Sequence, residues 1–173
     1  MARRSSARER LLETGARLFY EAGITATGVD TIAREAGVSK PTLYAHFGSK
    51  TDLVAAVLTA RHERRVTELA ALEDPLGVFA HLAEFYAAEG TRGCAFLNAA
   101  AELPADDDAR AAVVAEKAWL RGRLTELSGD ERTGSQLLLL VDGIAGRVVV
   151  DGPGAAAEAV ADATAAAKVL LAR

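Results

Sequence analysis

The chain has 173 residues, half of them apolar but only 5% aromatic, with four prolines and a formal net charge of −4. That length suits one domain or two small ones and is enough to bury a core, here built mainly from Ala, Leu and Val. Ala, Leu, Glu and Arg dominate and long alternating Val/Ile/Thr runs are missing, which excludes a sheet protein and predicts an all-α fold.

The first helix is predicted from about Ser6 to Ala22, with Leu11, Leu12, Ala16, Phe19 and Ala22 at helical spacing and Gly23 as its stop. After GITATG, a second helix covers about Asp30 to Ala36, with Ile32, Ala33 and Ala36 inward and Gly37 ending it. Ser39 is a good N-cap for a short third helix, and Ser49 caps a long fourth, from about Lys50 to Leu72, with RHERR (61–65) midway. Asp74-Pro75 opens a fifth helix with the stripe Leu76, Phe79, Leu82, Phe85 and Tyr86. Gly90 and Gly93 flank a turn before a sixth, CAFLNAAAEL (94–103), which Pro104 ends. Asp106, Asp107 and Asp108 favour the start of a seventh helix, about 107–127, stopped by Gly129. The eighth, about 131–150, is apolar nearly all round and so predicted to be buried on more than one side. A Gly-Pro-Gly turn (152–154) leads to an Ala-rich ninth, about 155–172, whose small side chains suit close helix packing.

Charge is unevenly spread. Residues 1–50 hold 8 Lys and Arg against 5 Asp and Glu, a net of +3, and residues 51–173 hold 12 against 19, a net of −7. A nucleic-acid-facing end on an acidic body has this asymmetry, although solvated helices also produce it. The charged MARRSSARER leads into no apolar run, so it does not read as a signal peptide. The segment LLLLVDGIAGRVVV (137–150) is broken by Asp142 and Arg147 and falls short of the roughly 18–20 residues of a bilayer span. Cys94 has no second cysteine to pair with, in keeping with a reducing compartment. A cytoplasmic protein with no membrane partner is expected.

The third helix, SKPTLYAHFGSK (39–50), carries the sharpest signal. With Leu43 at zero and about 100° per residue, Phe47 falls about 40° away on the same inward face, while Pro41 and Ala45 point directly outward. Tyr44 lies on one flank, Thr42 and His46 on the other. A small-residue face flanked by hydrogen-bonding groups suits close approach to a major groove, where apolar groups meet thymine methyls and polar ones meet bases or phosphates. A proline in the first turn costs little, because N–H groups there have no helical partner. Helix, tight Gly37-Val38 turn and helix make a helix-turn-helix whose second helix enters the groove. A plain connecting helix with solvated polar residues is the alternative.

The run GARLFYEAGITATGVDTIAREAGVSKPTLYAHFGSKTDLVAAVL resembles the N-terminal DNA-binding domain of TetR-family transcriptional regulators through Leu18, Phe19, Gly23, Ile32, Ala33, Ala36, Gly37, Val38, Ser39, Leu43, Tyr44, Phe47, Lys50 and Leu53. The resemblance implies an all-helical homodimer that reads an operator with its third helix and binds a small effector in its C-terminal lobe. Residues 1–50 would be the helix-turn-helix domain and 51–173 the ligand-binding and dimerisation domain. By position, Ser39, Lys40, Thr42, Tyr44, His46 and Lys50 are candidate DNA contacts, with Thr27 and Thr31 as further ones. Tyr44 and Lys50 are assigned to phosphates, and Lys40, Pro41, Thr42 and Ala45 to bases. Ala45 departs from relatives with a larger residue there, so readout at that point rests on shape.

Beyond residue 60 the resemblance is general, although GCAFLNAAAELP (93–104) is similar to a subgroup in which a Gly-Cys pair starts the sixth helix. Phe85, Tyr86, Cys94, Phe96, Asn98 and Trp119 are candidate pocket lining, with plain core as the bland reading of the Phe residues and an interface as the other reading of Trp119. Asn98 is the more informative, since an amide among apolar neighbours needs a partner. Without a resolving cysteine, Cys94 reads as structural rather than as a redox sensor. His46, His62 and His81 lack metal spacing, and no cofactor is called for. Helices eight and nine resemble the family's dimer-forming pair, and Ala159, Ala163 and Ala167 make a matching small-residue stripe. Asp142 and Arg147 pair across that interface or face the pocket. The expected function is a repressor released from a pseudo-palindromic operator by a small molecule, with an activator or constitutive binder as the alternative. An enzyme is not expected, because no nucleophile-base pair, phosphate-cradling glycine loop or metal set is present.

Overall fold

The computed structural model describes residues 5–88 and 92–172, so Gly90 lies outside the described residues. Among them the chain is helical with no strand: α1 Ala7–Ala22, α2 Val29–Glu35, α3 Lys40–His46, α4 Lys50–Leu69, α5 Leu76–Ala88, α6 Ala95–Glu102, α7 Arg110–Ser128, α8 Glu131–Asp151 and α9 Ala156–Leu171, with one 3-10 turn at Pro153–Ala155. The chain forms two compact units. One runs to Arg64 and also takes in Phe96–Val114; the other comprises Arg65–Ala95 and the chain from Ala115 onward.

In the first unit, Ser6 and Glu9 form a capping box that starts α1, the Glu9 amide donating to Ser6 Oγ at 3.2 Å and the Ser6 amide to Glu9 Oε2 at 2.6 Å. Leu11, Leu18 and Phe19 bury one face of α1. A Cβ on Gly15 would lie 3.3 Å from Val57 Cγ2, so α1 and α4 pack closely there, and Leu53, Val54, Val57 and Leu58 are all buried. This packing carries the first unit past residue 50. Ile32 and Ala33 bury α2, and Arg10 Nε donates to the Ala36 carbonyl at 2.9 Å, capping its C-terminal end. Gly37, at φ +65°, makes the turn into α3.

Helix α7 starts at Arg110, later than the sequence predicted, because Asp107 Oδ1 accepts from the Ala109 amide at 2.8 Å and forms a turn first. Helix α4 stops at Leu69 rather than Leu72; in the second unit, Arg123 satisfies the carbonyls of Ala70 and Leu72 at 3.2 and 2.6 Å.

The second unit packs α5 and α8 against α9 around Phe79, Leu82, Leu120, Leu124, Leu137, Ile144 and Val148. Gly134 is required where α8 crosses α7: a Cβ there would meet the Thr125 Cα and N at 2.6 Å. Asp130 caps α8, and the Thr133 amide, 2.7 Å from its Oδ2, holds this carboxyl below its ordinary value. Helix α8 outruns the apolar segment seen in sequence. At 21 residues it is long and apolar enough to cross a membrane by length and composition alone, a pattern that core helices share. Leu137, Val141, Ile144, Ala145 and Val148 are buried within the unit.

Candidate nucleic-acid interface

Helix α3 stands on two buried anchors, Leu43 at 0% and Phe47 at 5% exposure. Phe47 is the C-cap: its backbone is extended, but its amide still donates to the Leu43 carbonyl at 2.8 Å, and its ring is buried. Pro41, Tyr44, Ala45 and His46 are exposed, and Thr42 is half-buried. Tyr44 keeps 42% of its surface open, unusual for an aromatic next to a core and consistent with an external partner.

Two of the polar groups are already engaged. The Ser39 hydroxyl accepts from the Thr42 amide at 3.2 Å and lies 2.8 Å from Thr42 Oγ1, so it serves as the N-cap. The Lys40 ammonium lies 3.0 Å from Asp30 on α2, and that hydrogen bond and charge hold it above its ordinary range. A base or phosphate must therefore compete with Asp30 for Lys40. Lys50 opens α4 beside Ser49, whose hydroxyl accepts from the Asp52 amide at 3.0 Å. Thr31 is half-buried on α2.

Thr27 does not belong to this surface. It is 4% exposed, and its hydroxyl donates to the Gly23 carbonyl at 2.6 Å and lies 3.3 Å from that of Leu18. Its role is to pin the α1–α2 corner. The signal in sequence was its spacing: a Thr four residues after Gly23 can bond back to that carbonyl.

The residues expected to line a pocket divide between the units. Phe85, Tyr86, Cys94 and Trp119 fall in the second, Phe96 and Asn98 in the first. Phe85 and Tyr86 meet edge-on at 5.2 Å between ring centres, and both, with Trp119, pack on the second unit's core. Phe96 takes the plain-core reading, its ring being fully buried.

The second unit also holds charges that periodicity did not reveal. Glu116, at 0% exposure, accepts from Arg65 Nη1 at 2.6 Å. Burial opposes the charge of Arg65, but the fields of Cys94 and Glu116 and the Glu116 hydrogen bond outweigh it and hold the guanidinium above its ordinary range. Lys117 pairs with Asp142 and lies 3.8 Å from Cys94 Sγ. Asp142 therefore has a partner within its own chain, and Arg147 pairs with Asp151 one turn on, at 2.6 Å.

An all-helical chain whose N-terminal unit presents a helix-turn-helix defines a class of DNA-reading architecture. The model of the family described as "Bacterial regulatory proteins, tetR family" matches residues 11–57. SCO4454, a TetR-family transcriptional regulator from Streptomyces coelicolor, has the same fold at a TM-score of 0.82 and 30% identity, over 95% of this chain and 94% of that one. The chain belongs to the TetR family of transcriptional regulators. The HTH-type transcriptional activator FasR of Mycolicibacterium smegmatis is 49% identical over 55 residues, 32% of this chain and only 25% of that protein. The multidrug binding protein EbrR, solved with malachite green, aligns at a TM-score of 0.69 and 25% identity, over 92% of this chain and 97% of that one.

Proposed function

We propose that this protein is a cytoplasmic, homodimeric repressor that binds a pseudo-palindromic DNA operator through α3 and leaves it when a small molecule occupies the C-terminal lobe. The observation that carries the proposal is the outer face of α3, where Pro41, Tyr44, Ala45 and His46 lie open above the anchors Leu43 and Phe47. Tyr44 and Lys50 contact phosphates and fix the helix in register. Lys40, Pro41, Thr42 and Ala45 meet base edges, with Thr31 and His46 at the margins and Ser39 holding the first turn. Residues 1–50 supply the reading domain, and residues 51–173 bind effector and partner subunit.

Dimerisation through α8 and α9 is supported by a face that a monomer would leave wet. Leu139 and Val150 on α8 are 71% and 81% exposed, and Val169 on α9 is 63% exposed. Gly143 and Gly146 recur between those α8 residues with open space above them, so another helix can approach closely. A groove of about 370 Å³ between α8 and α9 is lined by Leu139, Leu140, Ile144, Ala159, Ala163 and Ala166. The complex of EbrR with malachite green supports a small-molecule effector, and an effector acts only through unequal affinity for the DNA-bound and free states.

The test is enrichment of duplexes from a random pool by the purified chain, then titration of the enriched duplex with and without cationic dyes such as malachite green. A palindromic motif with half-sites about one helical turn apart, or a multiple of it, is expected. Failure to enrich any duplex would refute the DNA-binding reading. Activation is the second reading, favoured by the name of FasR; a reporter carrying the operator falls rather than rises when such a gene is deleted.

A further inference from the structure

We propose that Glu102, at the C-terminal end of α6, is a positioning residue for DNA binding: its carboxylate holds the α1–α2 corner and so sets how α2 and α3 leave α1. The inference rests on the DNA-reading function proposed above. The Thr25 amide donates to Glu102 Oε2 at 2.7 Å, across 77 residues of sequence. The same carboxylate lies against Gly23, where a Cβ would be 3.0 and 3.1 Å from its two oxygens. Gly23 sits at φ +96°, so one glycine both ends α1 and leaves room for the carboxylate.

The corner needs an external hold because α2 does not start itself. Its N-cap is Gly28, which makes no side-chain capping bond. Thr27 braces the corner from inside by bonding back to Gly23. Arg10 fixes the other end of α2 through the Ala36 carbonyl. Glu102 supplies the remaining constraint, so α2 is held near both ends, and α3 follows it after a single tight turn.

Glu102 is itself firmly presented. Phe96, Ala99 and Leu103 bury α6 in the first unit. Arg110 donates to the carbonyls of Ala100 and Leu103 at 2.7 and 3.0 Å, closing the helix end that carries the carboxylate. A carboxylate on a fixed helix end makes a directional, charge-assisted hydrogen bond that a mobile side chain would not.

The experiment compares wild type, Glu102→Ala and Glu102→Gln on the duplex that wild type enriches, with affinity read across a salt series and amide exchange read at Thr25. Glu102→Gln removes the same charge as Glu102→Ala but keeps an oxygen acceptor, so the pair separates the hydrogen bond from the field. Glu102→Ala is expected to bind about tenfold more weakly than Glu102→Gln, with an unchanged salt slope and sequence preference. Thr25 exchange should speed up in the alanine variant only. A structural role alone would lower the melting temperature and leave affinity of the folded protein untouched. Equal affinity of the two variants overturns the inference, as does a changed salt slope or sequence preference, which would make Glu102 a direct contact. Unchanged Thr25 exchange in Glu102→Ala overturns it as well. A wild type that enriches no duplex removes the DNA reading and this inference together; one that binds beside an unaffected alanine variant removes the inference only.

Discussion

Replacing Glu116 by Gln tests whether the buried ion pair of the second unit is held as the geometry implies. Glu116 is completely buried, while the Arg65 side chain keeps 17% exposure, so the two ends of the pair respond differently to loss of a partner. Gln preserves the volume but removes the carboxylate that the guanidinium meets at 2.6 Å. Breaking a buried pair on one side costs about 3–5 kcal/mol when the surviving charge is sealed from water. Arg65 can draw on some solvent, which places the expected loss nearer about 2–3 kcal/mol. For a chain of this size that is a fall in Tm of about 5–10 °C. Urea unfolding at one fixed protein concentration is the assay, since the proposed dimer would couple stability to concentration. Glu126→Gln is the control: its pair with Arg123 leaves Glu126 70% exposed, and exposed pairs contribute at most about 1 kcal/mol. The double change Arg65→Met, Glu116→Leu should recover most of the loss, because apolar residues of similar volume replace buried pairs at little cost. If Glu116→Gln lies within about 0.5 kcal/mol of wild type or matches the control, the pair is not energetically buried and the reasoning fails.

Other expectations follow from the same structure. Leu43→Ala removes a fully buried anchor under α3 and should cost about 2–5 kcal/mol in chemical unfolding, with loss of operator binding at temperatures where the fold persists. Lys50→Ala should weaken all duplexes alike and lower the salt slope by about one per contact, whereas Thr42→Ala should shift the enriched sequence; competition between duplexes across a salt series reads both. Asp130→Ala should lower the melting temperature at neutral pH. Because the folded carboxyl lies below its ordinary 3.8, its stabilisation is present above that value and lost as pH falls through the lowered one, so the gap from wild type should narrow in acid. Gly146→Arg, on the open face of α8, should yield a monomer by light scattering and weaken operator binding.

Much of the architecture was legible because its boundaries are chemical. Gly23, Gly37 and Gly129 were predicted as helix stops and all adopt positive φ, while Ser39 and Ser49 cap the helices they precede. Periodicity found the anchors as well, and Leu43 and Phe47 are buried although Phe47 lies just past its helix. What periodicity states is that a face is covered, not what covers it. Phe96 was therefore open to two readings, pocket lining or plain core, and it is buried with Ala99 in the unit that carries the reading helix. Residue type misled in the same way at Thr27, whose hydroxyl is spent on the backbone of its own corner.

The features invisible in sequence share one physical character: they are single polar bonds between distant segments. Arg65 with Glu116, Lys117 with Asp142, and Glu102 with the Thr25 amide are separated by 51, 25 and 77 positions. Neither helical spacing nor composition constrains such pairs, because each depends on where two distant segments come to rest. That dependence also makes them responsive. An apolar contact tolerates a shift of a few tenths of an ångström, but a hydrogen bond weakens steeply as its angle opens. The corner held by Glu102 is therefore where a small displacement of α6 would have the largest effect on α2 and α3, and buried apolar packing elsewhere in the unit would absorb the same displacement with little consequence for DNA.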